Sequence, residues 1–276
     1  MSSKVSIIIA CYNDPDVIKA VDSALKQTYP NKEVIVIDDG SNPTVAKLID
    51  SLENDVDLVI RQGNSGQSFA RNHGIKKATG DYILNLDSDD FFEPSFCEKA
   101  LVLMENDPEI KVVCCKARRF SKAGEVDIYS PAGGDFKNFL TFNAALGSSM
   151  FRKADWETCG GYEEKLPILG FEDWELYLNI LKRGGRAEVI NEVLFNYQVG
   201  KNSTTTRIRH LKQEKYRQIV FKHKELYKEH FEILVDELFK RIKKEEKEKN
   251  RIANKPDSRV GNKLLAPFRI IKKIWS

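Results

Sequence analysis

Short apolar segments alternate with amphipathic segments through the first part of the chain. The short segments are rich in β-branched residues, which is typical of strands that are covered on both faces. They are Val5–Ala10, Glu33–Asp38, Leu58–Ile60 and Asp81–Leu86. Between them, apolar residues recur at helical spacing from Val17, from Val45 and over 68–77. This alternation predicts βαβ units, and therefore a parallel sheet with right-handed crossovers.

The second half of the chain has a less regular pattern. It predicts a helix over 93–106, a hairpin or loop over 120–135, a helix from 170 to 181, and strands near 112–117, 147–151 and 189–197. From 209 to about 250 it predicts one long or broken helix. The apolar stripe of that helix consists of Tyr227, Phe231, Leu234, Leu238 and Ile242. We therefore expect an α/β domain followed by a helical extension.

Charge is unevenly distributed along the 276 residues, whose net charge is +3. Residues 240–276 contain 13 Lys and Arg against 4 Asp and Glu, so the preceding part carries −6. No segment reaches the roughly 20 apolar residues of a membrane-spanning helix, and the N-terminus lacks a signal-peptide pattern. The five cysteines have no zinc-ligand spacing, and their odd number argues against a disulfide framework. These features predict a cytoplasmic protein.

The last part of the chain predicts a basic amphipathic helix over 263–275. Leu264, Phe268, Ile271 and Trp275 share one side of it, and Arg269 and Lys273 lie opposite. Such a helix suits peripheral contact with an anionic membrane surface. Packing on the body of the protein or on a partner is the alternative. Nucleic-acid binding is disfavoured because no aromatic residues are interleaved with the basic ones.

Polar or glycine-containing segments follow four of the predicted strands. They are Ala10–Asn13, Asp38–Ser41, Gly63–Gly66 and Asp87–Asp90. In a parallel sheet these strand ends share one edge, where ligands bind. Asp87, Asp89 and Asp90 repel one another unless a cation compensates them, and their oxygens suit Mg²⁺ or Mn²⁺. The pattern indicates a metal that holds nucleotide phosphates, with a simple Asp- and Ser-rich turn as the alternative.

Several common catalytic patterns are absent from the sequence. No G-x-G-x-x-G follows the first strand, and there is no G-x-x-x-x-G-K-[ST], so a glycine loop is not the phosphate-binding device. No Ser/His/Asp or Cys/His nucleophilic set is evident. His210, His223 and His230 fall in the charged C-terminal helix, where we expect them on a solvated face.

Five motifs, in order along the chain, carry the most specific signal. They are Ser6–Asn13, Val36–Ser41, Asn64–Asn72 with Gly80–Ile83, Asp87–Asp90 and Gly170–Trp174. Together they resemble the inverting, GT-A fold glycosyltransferases of family 2, over about residues 4–206. The resemblance implies a mostly parallel central sheet flanked by helices. It also implies a Rossmann-like nucleotide half over about 1–110, a mixed acceptor half over about 111–208, and a separate helical extension over 209–276.

For the donor, the resemblance implies a nucleotide sugar, with a UDP-sugar favoured. Ala10 and Tyr12 would flank the base, and Asp39 would accept the N3–H of uracil. Asn13, Gly66 and Ser88 lie in the same motifs and are expected at the donor site.

The resemblance also assigns the metal and a cation near the phosphates. Asp87 would face the ribose, and Asp89, together with Asp87, would bind Mn²⁺ or Mg²⁺. Arg71 would approach the nucleotide or its phosphates, and a salt bridge from Arg71 to Asp38 or Asp87 is the alternative.

For catalysis, the resemblance makes Asp173 the general base and the adjacent Glu172 its rival. A plain acidic helix start is the alternative reading of both. The expected activity is non-processive, because no Q-x-x-R-W follows this helix. The acceptor would be a glycan or a lipid-linked glycan in surface polysaccharide synthesis.

Two other functions remain open. A sugar-1-phosphate nucleotidyltransferase should show a Gly-rich basic loop after the first strand, and 12–15 is not one. A non-catalytic scaffold that binds nucleotide sugars is disfavoured by the presence of Asp87, Asp89 and Asp173. The segment 197–204 lacks a His often found in relatives, so the remaining metal ligands stay open.

Overall fold

The computed structural model describes residues 3–121, 123–165, 168–200 and 209–254. The chain divides into two compact units, one ending at Leu226 and the other beginning at Tyr227. The amphipathic segment 263–275 and residues 201–204 of the segment 197–204 lie outside the described residues. Among the described helices, none combines the length and the apolar character needed to cross a membrane.

A single mixed sheet organises the first unit. Its described strands are β1 Val5–Cys11, β2 Lys32–Asp38, β3 Leu58–Arg61, β4 Tyr82–Asp87, β5 Phe91–Phe92, β6 Ile110–Ser121, β7 Gly124–Tyr129, β8 Met150–Arg152 and β9 Arg186–Gln198. They lie in the order β3-β2-β1-β4-β8-β6-β9-β5, and β7 pairs with β6. The first four strands are parallel, whereas β8 is antiparallel to both β4 and β6. The predicted parallel half and mixed half are both present.

Helices flank the sheet of the first unit and make up the described part of the second unit. They are α1 Val17–Leu25, α2 Pro43–Asp50, α3 Gln67–Lys77, α4 Phe96–Asn106, α5 Phe136–Phe139, α6 Lys153–Cys159, α7 Glu172–Leu181, α8 Lys212–Lys222, α9 Lys224–Glu229 and α10 Phe231–Ala253. The long or broken helix expected after residue 209 is therefore broken. The short elements β5, α5 and α6 have too few residues to show a period in the sequence.

Close packing of α3 on the sheet depends on a glycine. A Cβ on Gly74 would lie 2.5 Å from Ile37 Cδ1 and 3.0 Å from Ile8 Cγ2. Both isoleucines are fully buried, and burying such a side chain contributes about 2 kcal/mol. The glycine thus lets α3 approach β1 and β2, and this fixes the distance between α3 and the carboxyl ends of those strands.

The start of β4 is anchored by Glu33, on β2. Its carboxylate accepts hydrogen bonds from Ser6 Oγ at 2.5 Å, from the Thr79 N–H at 2.6 Å and from Lys4 Nζ at 2.8 Å. Burial raises the pKa of Glu33, but these hydrogen bonds outweigh burial and lower it to about 2. An ionised Glu33 therefore joins β1, β2 and the turn that leads into β4.

The boundary between the two compact units differs from the division after residue 208 that the sequence suggests. In the sequence, the charged segment 212–222 is predicted to belong to the helical extension. Ile219 and His223 are nevertheless buried within the first unit, and this part of α8 packs there. The role of 209–276 as a separate extension stays a prediction.

Candidate active site

The carboxyl ends of β1, β2 and β4 meet the start of α3 at one edge of the sheet. The Asn13 N–H donates to Ser41 Oγ at 3.0 Å, and Ser88 Oγ donates to Asp14 Oδ2 at 2.7 Å. Asp39 accepts from the N–H of Gly66 at 2.9 Å. The four polar segments singled out from the sequence therefore lie together.

Arg71, on α3, joins two carboxylates from distant parts of the chain. Its Nη2 lies 2.5 Å from Asp87 Oδ1 at the end of β4, and its Nη1 lies 2.8 Å from Asp173 Oδ1 at the start of α7. The arginine side chain is only 2% exposed. Burial lowers the pKa of Arg71, but Asp173 and Asp87 outweigh burial and hold it above its ordinary value. The salt bridge to Asp87 was an alternative in the sequence, whereas the one to Asp173 was not expected.

Asp173 has one anchored oxygen and one free oxygen. Oδ1 accepts from Arg71 and, at 3.4 Å, from the hydroxyl of Tyr162, whose ring lies 5.3 Å from the Arg71 guanidinium carbon. Oδ2 faces Gly147, where an added Cβ would lie only 2.7 Å away. No other residue among those described donates a hydrogen bond to Oδ2, and the side chain is 18% exposed. One oxygen is thus oriented, and the other is available to a proton donor.

The electrostatic environment favours proton acceptance at the start of α7. Burial raises the pKa of Asp173, Arg71 lowers it and Asp87 raises it, so that the pKa stays above its ordinary value. For Glu172, burial and the neighbouring Asp173 raise the pKa to about 7. Perturbed carboxylates of this kind are typical of general acids and bases. Asp173 has the fixed orientation, because Arg71 holds it.

Acidic side chains collect beside Asp87. Burial, Asp87 and Asp14 raise the pKa of Asp89 to about 7. Burial and Asp89 raise the pKa of Asp90, and its Oδ1 accepts from the Gln198 N–H at 2.7 Å, which ties the turn to β9. Mutual repulsion of this kind is relieved by a cation.

The donor set at this acidic cluster fits a hard divalent cation. Asp89 and Asp87 offer carboxylate oxygens, which Mg²⁺ and Mn²⁺ prefer. Within the described ranges, no group of three His, Cys, Asp or Glu side chains forms a complete metal-ligand set. Proteins commonly bind Mg²⁺ through one or two carboxylates together with substrate phosphates, and Asp87 and Asp89 are two carboxylates of this kind.

Asp39 is buried and organises the loop before α3. Its Oδ1 accepts from Gln62 Nε2 at 2.8 Å and from the Ser65 N–H at 2.9 Å, and its Oδ2 accepts from the Gly66 N–H. Carboxylate oxygens have further lone pairs, so Oδ2 retains capacity for a ligand N–H. Gly66 has a φ of +92°, a conformation that suits glycine, and its N–H is already used by Asp39.

The residues at the end of β1 and just after it differ in exposure and in hydrogen bonding. Tyr12 is 52% exposed, so its ring is available for stacking on a base. Ala10 pairs with Ile37 and Asp87 in the sheet, which places it at the floor of the site. Asn13, with a φ of 57°, accepts from the Asn42 N–H through Oδ1 at 2.7 Å and so secures the neighbouring loop.

Four further residues at the site were missed in the sequence. Gln67 Nε2 donates to Asp87 Oδ1 at 3.0 Å, and Asp14 contacts Ser88, as described above. Tyr162 and Gly147 contact the two oxygens of Asp173. Asp14 could have been found from its place after β1, and Gln67 from its motif. Tyr162, which follows two glycines, and Gly147 gave no sequence signal of a role at the site.

Comparison with known proteins identifies the family of this chain. Residues 6–156 match the family model described as glycosyl transferase family 2. The chain is 32% identical over 207 residues to an Escherichia coli protein, UDP-Glc:alpha-D-GlcNAc-diphosphoundecaprenol beta-1,3-glucosyltransferase WfaP, covering 73% of this chain and 79% of WfaP. It is 35% identical over 125 residues to EpsH of Bacillus subtilis, covering 44% of this chain but only 36% of EpsH.

A solved structure shares the fold. The structure of S. aureus TarS 1-349 in complex with UDP-GlcNAc matches with a TM-score of 0.62 and 19% identity, over 74% of this chain and 60% of the TarS chain. At this level of identity the match supports the architecture of the sheet and its helices alone. The chain thus spans about a third of EpsH, three fifths of this TarS chain and most of WfaP.

Proposed function

The chain belongs to glycosyl transferase family 2 and has the GT-A fold, and from that premise we propose that it is an inverting glycosyltransferase with a UDP-sugar donor. One observation carries the proposal. Arg71 joins Asp87, at the donor edge of the sheet, to Asp173, the candidate base. The donor and the base therefore share one site, in which the free oxygen of Asp173 is available to an acceptor hydroxyl.

The reaction is a single displacement at the anomeric carbon. Asp173 Oδ2 takes the proton of the acceptor hydroxyl as that oxygen attacks the anomeric carbon from the face opposite the nucleotide. The new bond joins the acceptor oxygen to the anomeric carbon. The bond from that carbon to the diphosphate breaks, and its electron pair leaves with UDP. One displacement inverts the configuration, and the Arg71 guanidinium favours the ionised form of Asp173 and orients its carboxylate beforehand.

The donor binds at the carboxyl ends of β1, β2 and β4. Tyr12 stacks on the uracil, Asp39 accepts its N3–H through the remaining capacity of Oδ2, and Asp87 faces the ribose. Asp89, with Asp87, would hold Mg²⁺ or Mn²⁺, which would supply positive charge to the leaving diphosphate. The uridine assignment is supported by the relative WfaP, whose name gives UDP-Glc as its donor.

We propose a lipid-linked or free glycan as the acceptor, in surface polysaccharide synthesis. The relative WfaP, by its name, acts on a sugar linked to diphosphoundecaprenol. A lipid-linked acceptor requires access to a membrane surface, for which the basic segment 263–275 is suited. If removal of residues 251–276 left binding to anionic liposomes unchanged, this membrane role would be lost.

The test is a screen of nucleotide sugars by equilibrium binding and by UDP release, each with and without Mn²⁺. A UDP-sugar should bind best, and Mn²⁺ should strengthen binding. Preference for a purine nucleotide sugar without metal would overturn the assignments of Asp39 and Asp89. Binding without any transfer or hydrolysis, across a panel of glycan acceptors, would favour a non-catalytic scaffold.

A further inference from the structure

Helix α8 packs on the first turn of α7, the turn that carries the candidate base. Ile219 is fully buried, and the Tyr216 ring stacks on the Trp174 ring with 5.3 Å between centroids and 18° between planes. Trp174 directly follows Asp173, and its indole N–H donates to the Phe139 carbonyl oxygen at 2.5 Å. Trp174 is therefore fixed between α8 and α5, so it belongs to the core.

A second contact involves Glu175, two positions after Asp173. Its Oε1 lies 2.8 Å from His223 Nε2 and 2.7 Å from Lys222 Nζ, at the C-terminal end of α8. Its Oε2 is buried without a hydrogen-bond partner among the described residues. Within those residues, the negative charge of Glu175 is therefore compensated through the contacts of Oε1. His223 is buried, so the expectation of a solvated face was wrong for it.

Lys222 also reaches the segment that supports Asp173 from the other side. Its Nζ lies 2.6 Å from Glu163 Oε2. Glu163 directly follows Tyr162, whose hydroxyl contacts Asp173. One ammonium group thus connects α8, α7 and the Tyr162 segment.

We propose that α8 is a positioning element of the active site, and that Tyr216, Lys222 and His223 hold the first turn of α7 so that Asp173 keeps its orientation. The catalytic consequence rests on the proposed function. The physical reason is that a buried carboxylate without its partners moves toward water. Movement of Glu175 displaces Asp173, because both lie in the first turn of one helix, which has no side-chain N-cap.

This support lies outside the residues that match the family model. That match ends at residue 156, whereas Tyr216, Lys222 and His223 lie at the other end of the first compact unit. Asp173 and the whole of α7 also lie beyond that match, so α8 and the turn that it holds belong to the same part of the chain.

The first arm of the test measures the mechanical link in the full chain, independently of activity. Lys222→Met removes the charge and keeps the apolar stem, and His223→Ala removes the imidazole. Amide hydrogen exchange in a peptide covering 171–176 should accelerate by about threefold or more in both variants. A peptide covering β1 should be unchanged. Lys224→Met, at an exposed neighbouring lysine paired with Glu225, is the matched control and should change neither.

The second arm measures turnover per donor-binding site. In Lys222→Met and His223→Ala, kcat should fall by about tenfold while KM for the donor stays within about twofold. His223→Gln retains an N–H donor and should restore most of kcat. A merely structural role would instead lower the fraction of folded protein, leaving kcat per binding site unchanged.

The outcomes separate the two proposals. Unchanged exchange at 171–176 would overturn the positioning role outright. Faster exchange with unaltered kcat would overturn its catalytic consequence. If the wild-type chain transferred no sugar, the proposed function would fall, and the exchange arm would still decide whether α8 holds the turn.

Discussion

Arg71 Nη1 lies 2.8 Å from Asp173 Oδ1, although the two residues are 102 positions apart in the chain. The same guanidinium contacts Asp87, so one buried cation sets the distance between the donor edge of the sheet and the candidate base. Because the group is planar and binds each carboxylate through a different nitrogen, it fixes direction as well as charge. Orientation of the base is therefore built into the resting site.

Replacing Arg71 by Lys should lower transfer strongly while keeping the positive charge. An ammonium is a point donor and does not reproduce two directed contacts with separate carboxylates. We expect kcat to fall by about 100-fold or more, a loss typical when catalytic groups are misplaced. Steady-state kinetics with the preferred donor measures this.

Removing the charge at Arg71 should also destabilise the protein. Arg71→Met leaves Asp87 and Asp173 without their shared partner, at a cost of about 3–5 kcal/mol. Chemical denaturation measures the change. Arg61→Met is the control, because Arg61 pairs with Asp50 and Glu53 on the surface, and its loss should cost less than about 1 kcal/mol. Equal losses in the two variants would show that the Arg71 bridge is not a buried contact of this strength.

Asp173→Asn should separate binding from chemistry. The amide preserves the shape of the side chain and removes the proton acceptor, so the affinity for a UDP-sugar should change little. Transfer should fall by about 10² to 10⁴, the range for loss of a general base. Isothermal calorimetry measures the donor affinity, and a UDP-release assay measures transfer. Normal transfer by Asp173→Asn, with transfer lost in Glu172→Gln, would move the base to Glu172.

Sequence patterns predicted the local parts of this fold well. The strands and their polar ends follow from hydrophobic runs and from the residues next to them, which are near one another in the chain. The Asp87–Asp90 segment was likewise visible as a group of like charges. The contact between Arg71 and Asp173 was not, since it depends on how α3 and α7 approach across the sheet.

Burial of charged residues was the harder property to predict. The segment 212–223 reads as a charged surface helix, and His223 was accordingly placed on its solvated face. In the structure, His223 and Lys222 compensate Glu175, which is itself buried on α7. Partners this distant in the chain leave no periodic signal, so their pairing emerges only in three dimensions.

Gly147→Ala should impair catalysis by moving Asp173. The new Cβ would lie 2.7 Å from Asp173 Oδ2, well inside van der Waals contact, so the carboxylate must turn away. We expect kcat to fall by about tenfold with KM for the donor unchanged, because the donor groups lie elsewhere. A double-mutant cycle with Asp173→Asn tests the cause. The alanine should produce little further loss in the Asp173→Asn background, and a fully additive loss would contradict this explanation.

Glu33 should make stability depend on acid pH. Its pKa is lowered from 4.5 to about 2 in the folded protein, since hydrogen bonds to the ionised form outweigh burial. The Glu33 carboxylate therefore binds a proton less readily in the folded protein than in the unfolded chain. This contribution is fully present above the unfolded pKa near 4.5 and is lost as pH falls through about 2.

Glu33→Gln measures the contribution directly. At pH 7 the variant should be about 1–3 kcal/mol less stable in urea, and the difference should narrow as pH falls from about 4.5 to about 2. The exposed Glu53 provides the control, because Glu53→Gln should cost less than about 1 kcal/mol. A difference that stays constant with pH would show that Glu33 acts through its shape and not through its charge.

Metal removal should weaken donor binding at Asp89. Burial, together with the like charges of Asp87 and Asp14, raises the pKa of Asp89 and so disfavours its ionised form in the absence of a cation. A divalent ion held by Asp89 would supply the compensating charge, so chelation by EDTA should lower the affinity for a UDP-sugar by about tenfold or more. Asp89→Asn should bind the donor weakly with or without Mn²⁺, whereas uridine, which has no phosphate, should bind both proteins equally. Donor affinity in the wild-type protein that is unaffected by EDTA would exclude Asp89 as a metal ligand and leave phosphate binding to the cationic side chains.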